Sequence, residues 1–379
     1  MRVVCFADLH SHNFSQFAQT LPNGRNSRLQ ATLDVLEEIR AFCEKMSVDV
    51  VFFLGDCFHS RTKIDVDVYQ ATWLAFHRIA QAVPHLYILV GNHDQYDKLG
   101  NRHSLDAFRD FATVIDQPVV ARVEHYLGFA AHPFTTNYGE WRTFVNMLPQ
   151  GLDFFLFHQG IDEAMVGSFD IPIKASIKLK DFPTVGQAKW CVGGHYHKTQ
   201  FMRRHLAPQA KLLEVGQYQL DAFNLISPTD EEAVMFCGSP LQHSFSEYKD
   251  PKKCFWYWED PRNGAPTPIY TNAPSFHRYT KPEKLVADIQ VGKVSTDTDY
   301  VRLSCTEAEA DTWRGHDWLN MDDIQVELEV NKREFSTRET PNVSATDEEL
   351  LRFYMDEAGT KDHDEETLVK LGLELLQED

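Results

Sequence analysis

Apolar positions in the first half of the chain come in short solid runs, not in alternation. "RVVCFA", "VDVVFFLG", "LYILVG", "DFFLFH" and "KWCVGGH" each predict a strand buried on both faces. Between the first two runs, Leu29, Leu33, Leu36, Ile39 and Phe42 recur at helical spacing, which predicts a helix from Arg28 to Met46. Val66 to Val83 repeats that pattern. Strand–helix–strand order predicts βαβ units and an α/β fold whose sheet is covered by helices. "AVMFCGSP" and "KKCFWYWED" predict later strands of the same sandwich or its neighbour. The aromatic alternation of "FWYWED" reads as core packing rather than as a base-stacking surface.

After Pro274 the pattern changes. "DYVRLSC", a helical stretch around Glu307 to Trp318 and "IQVELEV" predict a small α+β unit over residues 276–332, following a first domain of residues 1–275. The polar run "NKREFSTRETPNVSA" reads as a linker, residues 333–345. Residues 346–379 predict two short amphipathic helices broken near Gly359. Leu350, Leu351 and Tyr354 mark one apolar face, and Leu368, Leu371 and Leu375 mark the other. Residues 207–232 are more than a minimal hairpin needs, which predicts an inserted strand pair or loop.

Composition narrows the setting. With 379 residues, two domains and a tail are expected. The net charge of -19 argues against a generic polyanion-binding surface, and about half of the acidic excess lies after residue 332. It does not exclude nucleic acid, because bound divalent cations offset charge where phosphate is handled. The 7 cysteines are scattered without a Cys-x-x-Cys pair, as expected of reduced thiols. No apolar run approaches the roughly 18 residues that span a bilayer. Asp8 interrupts the first apolar run, so the start reads as a strand and not a leader. A cytoplasmic protein without membrane contact is the expectation.

The chemistry sits where the apolar runs end. "ADLH" (Asp8, His10), "GDCFH" (Asp56, His59), "GNHD" (Asn92, His93, Asp94), "FHQG" (His158) and "GGHYH" (His195, His197) each follow a predicted strand. Open α/β sheets gather their sites at that edge. Singly, each has an ordinary reading: an Asp after a strand caps a turn, and a buried His is satisfied in the core. Jointly they make a mixed nitrogen and oxygen donor set, suited to manganese, iron or zinc better than to magnesium alone. Two such ions could clamp a phosphate and activate water for in-line attack. Gly55, Gly91 and Gly194 would permit tight turns beside the ions. Cys57 reads as a packing residue.

Taken together, Asp-x-His, Gly-Asp-x-x-His, Gly-Asn-His-Asp, a lone His and Gly-His-x-His resemble the signature of the calcineurin-like metallophosphoesterases. The resemblance implies a four-layer αββα sandwich. It implies one metal held by Asp8, His10, Asp56 and His197, and a second held by Asp56, Asn92, His158 and His195. His93 would help protonate the leaving oxygen, with Asp94 orienting it. A narrower resemblance follows: "GSPLQHSFSE" (Gly238 to Glu247), together with "GDCFH", is similar to the SbcD-type DNA repair nucleases.

That group implies a capping domain, a helical tail binding an SbcC-type coiled-coil ATPase, and a homodimer within a heterotetramer. It also implies two divalent ions, manganese foremost with magnesium, iron or zinc as others. His59 would position the substrate phosphate. The expected reactions are 3′→5′ exonuclease action on duplex ends and endonuclease action on single strands. DNA contacts would fall to local basic groups: Arg25, Arg28, Arg61, Lys63 and Arg102. A phosphodiesterase or phosphatase for a small nucleotide explains the metals equally well but leaves "GSPLQHSFSE", the cap and the tail without a role. A non-catalytic scaffold would be expected to have lost ligands that are all present here.

Overall fold

The computed structural model describes residues 1–97, 100, 102–162, 164–166, 171–172, 174–203, 233–295, 298–306, 309 and 325–331. The expected insertion at 207–232, the linker, the two tail helices and nearly all of the stretch Glu307 to Trp318 lie outside the described residues.

Two six-stranded sheets stack face to face. The first contains β1 (Val3–Phe6), β2 (Val50–Phe53), β3 (His85–Leu89) and β4 (Thr113–Ile115), all parallel, and is extended past β1 by two antiparallel strands described below. The second contains β5 (Val119–Val123), β6 (Leu127–His132), β7 (Leu152–His158), β8 and β9 being a separate two-stranded pair (Met165–Val166, Ile171–Pro172), then β10 (Ala188–Gly194), β11 (Gln200–Arg203) and β12 (Ala233–Phe236). Its central strands β6, β7, β10 and β12 run parallel. The chain then returns to the first sheet as β13 (Cys254–Trp258), antiparallel to β1, and β14 (Thr267–Tyr270).

The period of two explains why the strands read as solid apolar runs. Val3, Cys5, Val50 and Phe52 face the second sheet, meeting Phe129, Phe154, Leu156 and Val192 in one buried cluster. Their neighbours Val4, Phe6, Val51 and Phe53 face the other way, into helices α1 (Ser27–Met46) and α2 (Val66–Ala82). Helix α3 (Tyr138–Asn146) covers the far side of the second sheet through Trp141 and Val145. The result is four layers, helix–sheet–sheet–helix.

Helix α1 begins at Asn26, whose side chain accepts from the backbone N–H groups of Arg28 and Leu29. It ends as Ser47 turns left-handed. Both long helices fall where the spacing predicts them. The strands β4, β5, β6, β8, β9, β11 and β14 and the helix α3 are additions to the sequence reading. Among the described residues, no helix is long and apolar enough to cross a membrane.

Beyond β14, β15 (Phe276–Tyr279), a helix (Pro282–Gln290), β16 (Tyr300–Thr306) and β17 (Gln325–Asn331) form a parallel three-stranded βαβ unit with its own small core around Leu285, Val301 and Leu303. It rests on the sandwich through Phe245, Phe276 and Tyr300.

Arg28 lies at that seam. Its guanidinium sits over the rings of Phe14, Phe276 and Tyr300 at 4.9–5.0 Å and donates to the carbonyls of Gln16 (3.0 Å) and His243 (2.8 Å). Arg28 was expected to meet DNA phosphate. It is 6 % exposed and committed to the interior instead.

Candidate metal centre

The C-terminal ends of β1, β2, β3, β7 and β10 open on one edge, where the two sheets meet. Asp8, His10, Asp56 and Asn92 come from the first sheet, and His158, His195 and His197 from the second. His158 pairs in register with Gly194, so His195 emerges directly beside it.

The turns that deliver these groups are strained. Asp8 (φ 56°), His10 (φ 45°), Asp56 (φ 59°) and His195 (φ 92°) all adopt left-handed backbone, costly for residues with a Cβ. Gly55 takes φ 96° ahead of Asp56, and a Cβ on Gly91 would run into the Asp56 carboxylate. Asp8, His10 and His197 bring ligand atoms within 4.8 Å of one another, as do Asp56, His158 and His195. Asp56 faces both sets, its carboxylate 3.6 Å from His10 Nε2 and 3.3 Å from His158 Nε2.

These residues fit cations, as the hydrogen bonds show. His158 Nδ1 donates to the Leu54 carbonyl (2.6 Å), so in the neutral ring Nε2 is bare. That nitrogen faces Asn92 Oδ1 at 3.0 Å and Asp56 Oδ1, all of them bearing lone pairs. His195 Nδ1 meets the same Asn92 oxygen at 2.9 Å. Across the centre, His10 Nε2 and His197 Nε2 face each other at 2.9 Å. The lone pairs around His158 Nε2 call for positive charge between them, and the close approach of His10 and His197 is open to the same use.

Burial opposes charge on His158, yet Asp56 and Asp8 raise it to about 9. Burial likewise opposes charge on Asp56, which His158, His10 and His93 hold far below the usual carboxylate range. Burial lowers His195 to about 3, with the charge on His158 adding to it.

His93 and His59 stand at the rim. His93 is half-buried, His59 is exposed, and their rings stack with centroids 5.8 Å apart. His93 Nδ1 donates to the His59 carbonyl (2.7 Å), leaving Nε2 as the working atom. His10, His59 and His93 also form a close trio of ring nitrogens. Asp94, expected to orient His93, does something else. It is fully buried and accepts from the backbone N–H groups of Asp56 (2.9 Å), Gly91 (2.9 Å) and Cys57 (2.9 Å). Burial, then the charge on Asp56, raises its carboxyl to about 7, while the Gly91 N–H pulls it down. Asp94 therefore clamps the two ligand-bearing turns together, and the His59 carbonyl orients His93. Cys57 is buried among apolar side chains of the α1/α2 face.

Of the basic residues read as DNA contacts, Lys63 is exposed, and Arg25 and Arg61 are half-buried. Arg25 bonds Gln30, and Arg102 lies over Tyr96 and pairs with Asp97. Two side chains at the centre were not singled out from the sequence, although both lie in the quoted "GSPLQHSFSE". Glu247 Oε1 accepts from His197 Nδ1 at 2.9 Å. His243 Nε2 donates to the Asp8 carbonyl at 2.9 Å.

Residues 1–199 match the family model for calcineurin-like phosphoesterases. No curated protein matches the sequence significantly. Among solved structures, a purple acid phosphatase from yellow lupin (Lupinus luteus) seeds aligns with TM-score 0.41 and 14% identity over 68% of this chain and 48% of that one, so the chain spans about half its length. A nuclease from Pseudomonas putida aligns with TM-score 0.24 and 15% identity over 45% of this chain and 67% of that one. A phosphoesterase from E. coli gives TM-score 0.24 and 10% identity over 47% of this chain and 79% of that one.

Proposed function

This chain belongs to the calcineurin-like phosphoesterases, metal-dependent hydrolases, and on that premise we propose that it is an SbcD-type nuclease cutting DNA phosphodiesters. The proposed reactions are 3′→5′ exonuclease action on duplex ends and endonuclease action on single strands, in complex with a coiled-coil ATPase. One observation carries the choice of a polymeric substrate. In a chain of net charge -19, Lys249, Arg278, Lys281 and Lys284 line a cavity of 600 Å³ together with His277. Its one acid, Asp288, accepts from Tyr279 Oη at 3.0 Å and pairs with Lys293. The groove spans the small βαβ unit and the Tyr248–Lys249 turn, which directly follows Glu247 at the metal centre. A mononucleotide carries no phosphates beyond the one at the centre to set against these cations. A strand whose backbone continues past the scissile bond does.

Asp8, His10, Asp56 and His197 would hold one divalent ion, and Asp56, Asn92, His158 and His195 the other, manganese being the leading candidate. Two bound ions supply Lewis acidity toward phosphate oxygens and a nucleophile at neutral pH. The polypeptide adds the rest. His93, held by the His59 carbonyl, presents Nε2 to the leaving oxygen and delivers a proton there. His59, stacked on it at the rim, faces the substrate phosphate.

The test uses the manganese-loaded full chain on linear duplex DNA labelled at either end, beside cyclic and linear mononucleotides. Shortening from 3′ ends with slow mononucleotide turnover supports the nuclease. Rapid mononucleotide hydrolysis with intact DNA would establish the small-substrate enzyme instead.

A further inference from the structure

We propose that Glu247 is a positioning residue for one of the two metals: it fixes the tautomer and direction of His197 so that the ion on the Asp8–His10–His197 side binds tightly. The inference rests on the reading of this edge as a two-metal centre. A carboxylate only accepts, so the 2.9 Å contact between Glu247 Oε1 and His197 Nδ1 places the ring proton on Nδ1. The lone pair is thereby left on Nε2, the atom that faces His10 Nε2 and belongs to the ligand cluster. On the other side of the centre the Leu54 carbonyl does the same for His158. One ligand histidine is thus oriented by a backbone carbonyl and the other by a charged side chain some fifty residues along.

Glu247 is built to stay in place. It is 5 % exposed, and its second oxygen pairs with Lys253 Nζ at 2.8 Å. Lys253 also donates to the His197 carbonyl (2.8 Å) and to Asp250 (2.9 Å), closing a ring around the histidine. The Glu247 carbonyl accepts from Gln242 Nε2 at 2.8 Å, and Gln242 Oε1 accepts from the Phe276 N–H at 2.6 Å, the first residue of the small βαβ unit. The segment from Gln242 to Glu247 therefore joins that unit to one metal ligand and, through His243, to Asp8. This arrangement gives the Glu at the end of "GSPLQHSFSE" a role.

The experiment titrates Mn2+ into the metal-free full chain by calorimetry and follows the exchange-coupled manganese signal by electron paramagnetic resonance. The unsubstituted protein is expected to take two ions and show a coupled pair. Glu247→Gln should bind one ion within about threefold of normal and the other about 10–100-fold more weakly, the usual loss for an outer-shell partner. Its spectrum at two equivalents should be that of an isolated ion. The double variant Glu247→Gln/Lys253→Met, neutral at both positions, should show the same selective loss. Val145→Ala, which thins the core under α3, should lower the melting temperature and leave both affinities alone. If the double variant regained two tight ions, Glu247 would be only a counter-ion for Lys253 and the proposal would fall. Unchanged or equally weakened affinities in Glu247→Gln would overturn it too. Absence of a coupled pair in the unsubstituted protein would overturn the two-metal reading itself, and this proposal with it.

Discussion

His158 Nε2 and Asn92 Oδ1 face each other across 3.0 Å, while the opposite nitrogen of the same ring is tied to the Leu54 carbonyl. The pair can be relieved in two ways: a second proton on His158, or a cation between them. Those two solutions compete, and the competition is measurable.

Without metal, His158 is held at about 9, above its ordinary 6.5. A raised basic group stabilises the fold below its unfolded value and loses that contribution as pH climbs through the folded one. Metal-free protein should therefore lose melting temperature between about pH 6.5 and 9. With Mn2+ the ligands must be deprotonated, so metal stabilisation should grow over the same window. At a hundredfold excess over its dissociation constant, an ion adds about 2.7 kcal/mol. Melting curves with and without manganese across this range check the opposite slopes. Parallel slopes would mean that metal and proton do not compete at His158.

His93→Ala should keep both ions and lose the proton donor. With DNA the rate should fall about 10²–10⁴-fold, the usual worth of general acid catalysis. A p-nitrophenyl diester, whose leaving group needs no proton, should lose far less. Equal losses on both substrates would contradict the acid role.

Asp94→Asn should behave differently, because Asp94 clamps Gly91, Asp56 and Cys57 and does not touch His93. Above about pH 7, where Asp94 is ionised, hydrogen bonds to a charged group contribute about 1.5–3 kcal/mol each. A lower melting temperature and weaker metal retention are expected, with activity recovering at saturating Mn2+. A stable, metal-loaded but inactive variant would restore the catalytic role.

Arg28 and Lys281 separate packing from phosphate contact. Arg28→Met should destabilise the seam between sandwich and βαβ unit, seen as a lower melting temperature, and leave the salt dependence of DNA binding unchanged. Lys281→Glu with Lys284→Glu should weaken DNA binding uniformly and reduce the salt slope by about 1 per lost contact. An unchanged slope in the double variant would remove the groove from the DNA path.

The strands that carry the centre were legible because both of their faces are buried; Val4 and Phe6 go to the helices while Val3 and Cys5 go to the other sheet, so no polar position breaks the run. The grouping of Asp8, His10, Asp56, Asn92, His158, His195 and His197 at one edge is legible because they follow such runs. In β6, "LGFAAH", a glycine and two alanines pack closely without the branched residues that announce a strand. Glu247 could not be assigned because its partner is 50 residues away, and only folding brings the two together. Asp94 reads from sequence as the partner of His93 because the two are adjacent, whereas its side chain turns inward, under the Asp56 turn. Arg28 reads as an accessible cation at the start of a helix, but Phe14 and the sequence-distant Phe276 and Tyr300 close over it.

The most direct test of the two-metal centre is anomalous diffraction at the manganese edge from crystals of the full chain grown with Mn2+. Two peaks are predicted, one among Asp8, His10 and His197 and the other among Asn92, His158 and His195, with the Asp56 carboxylate touching both. A single peak, or a pair lying among His10, His59 and His93 instead, would contradict it.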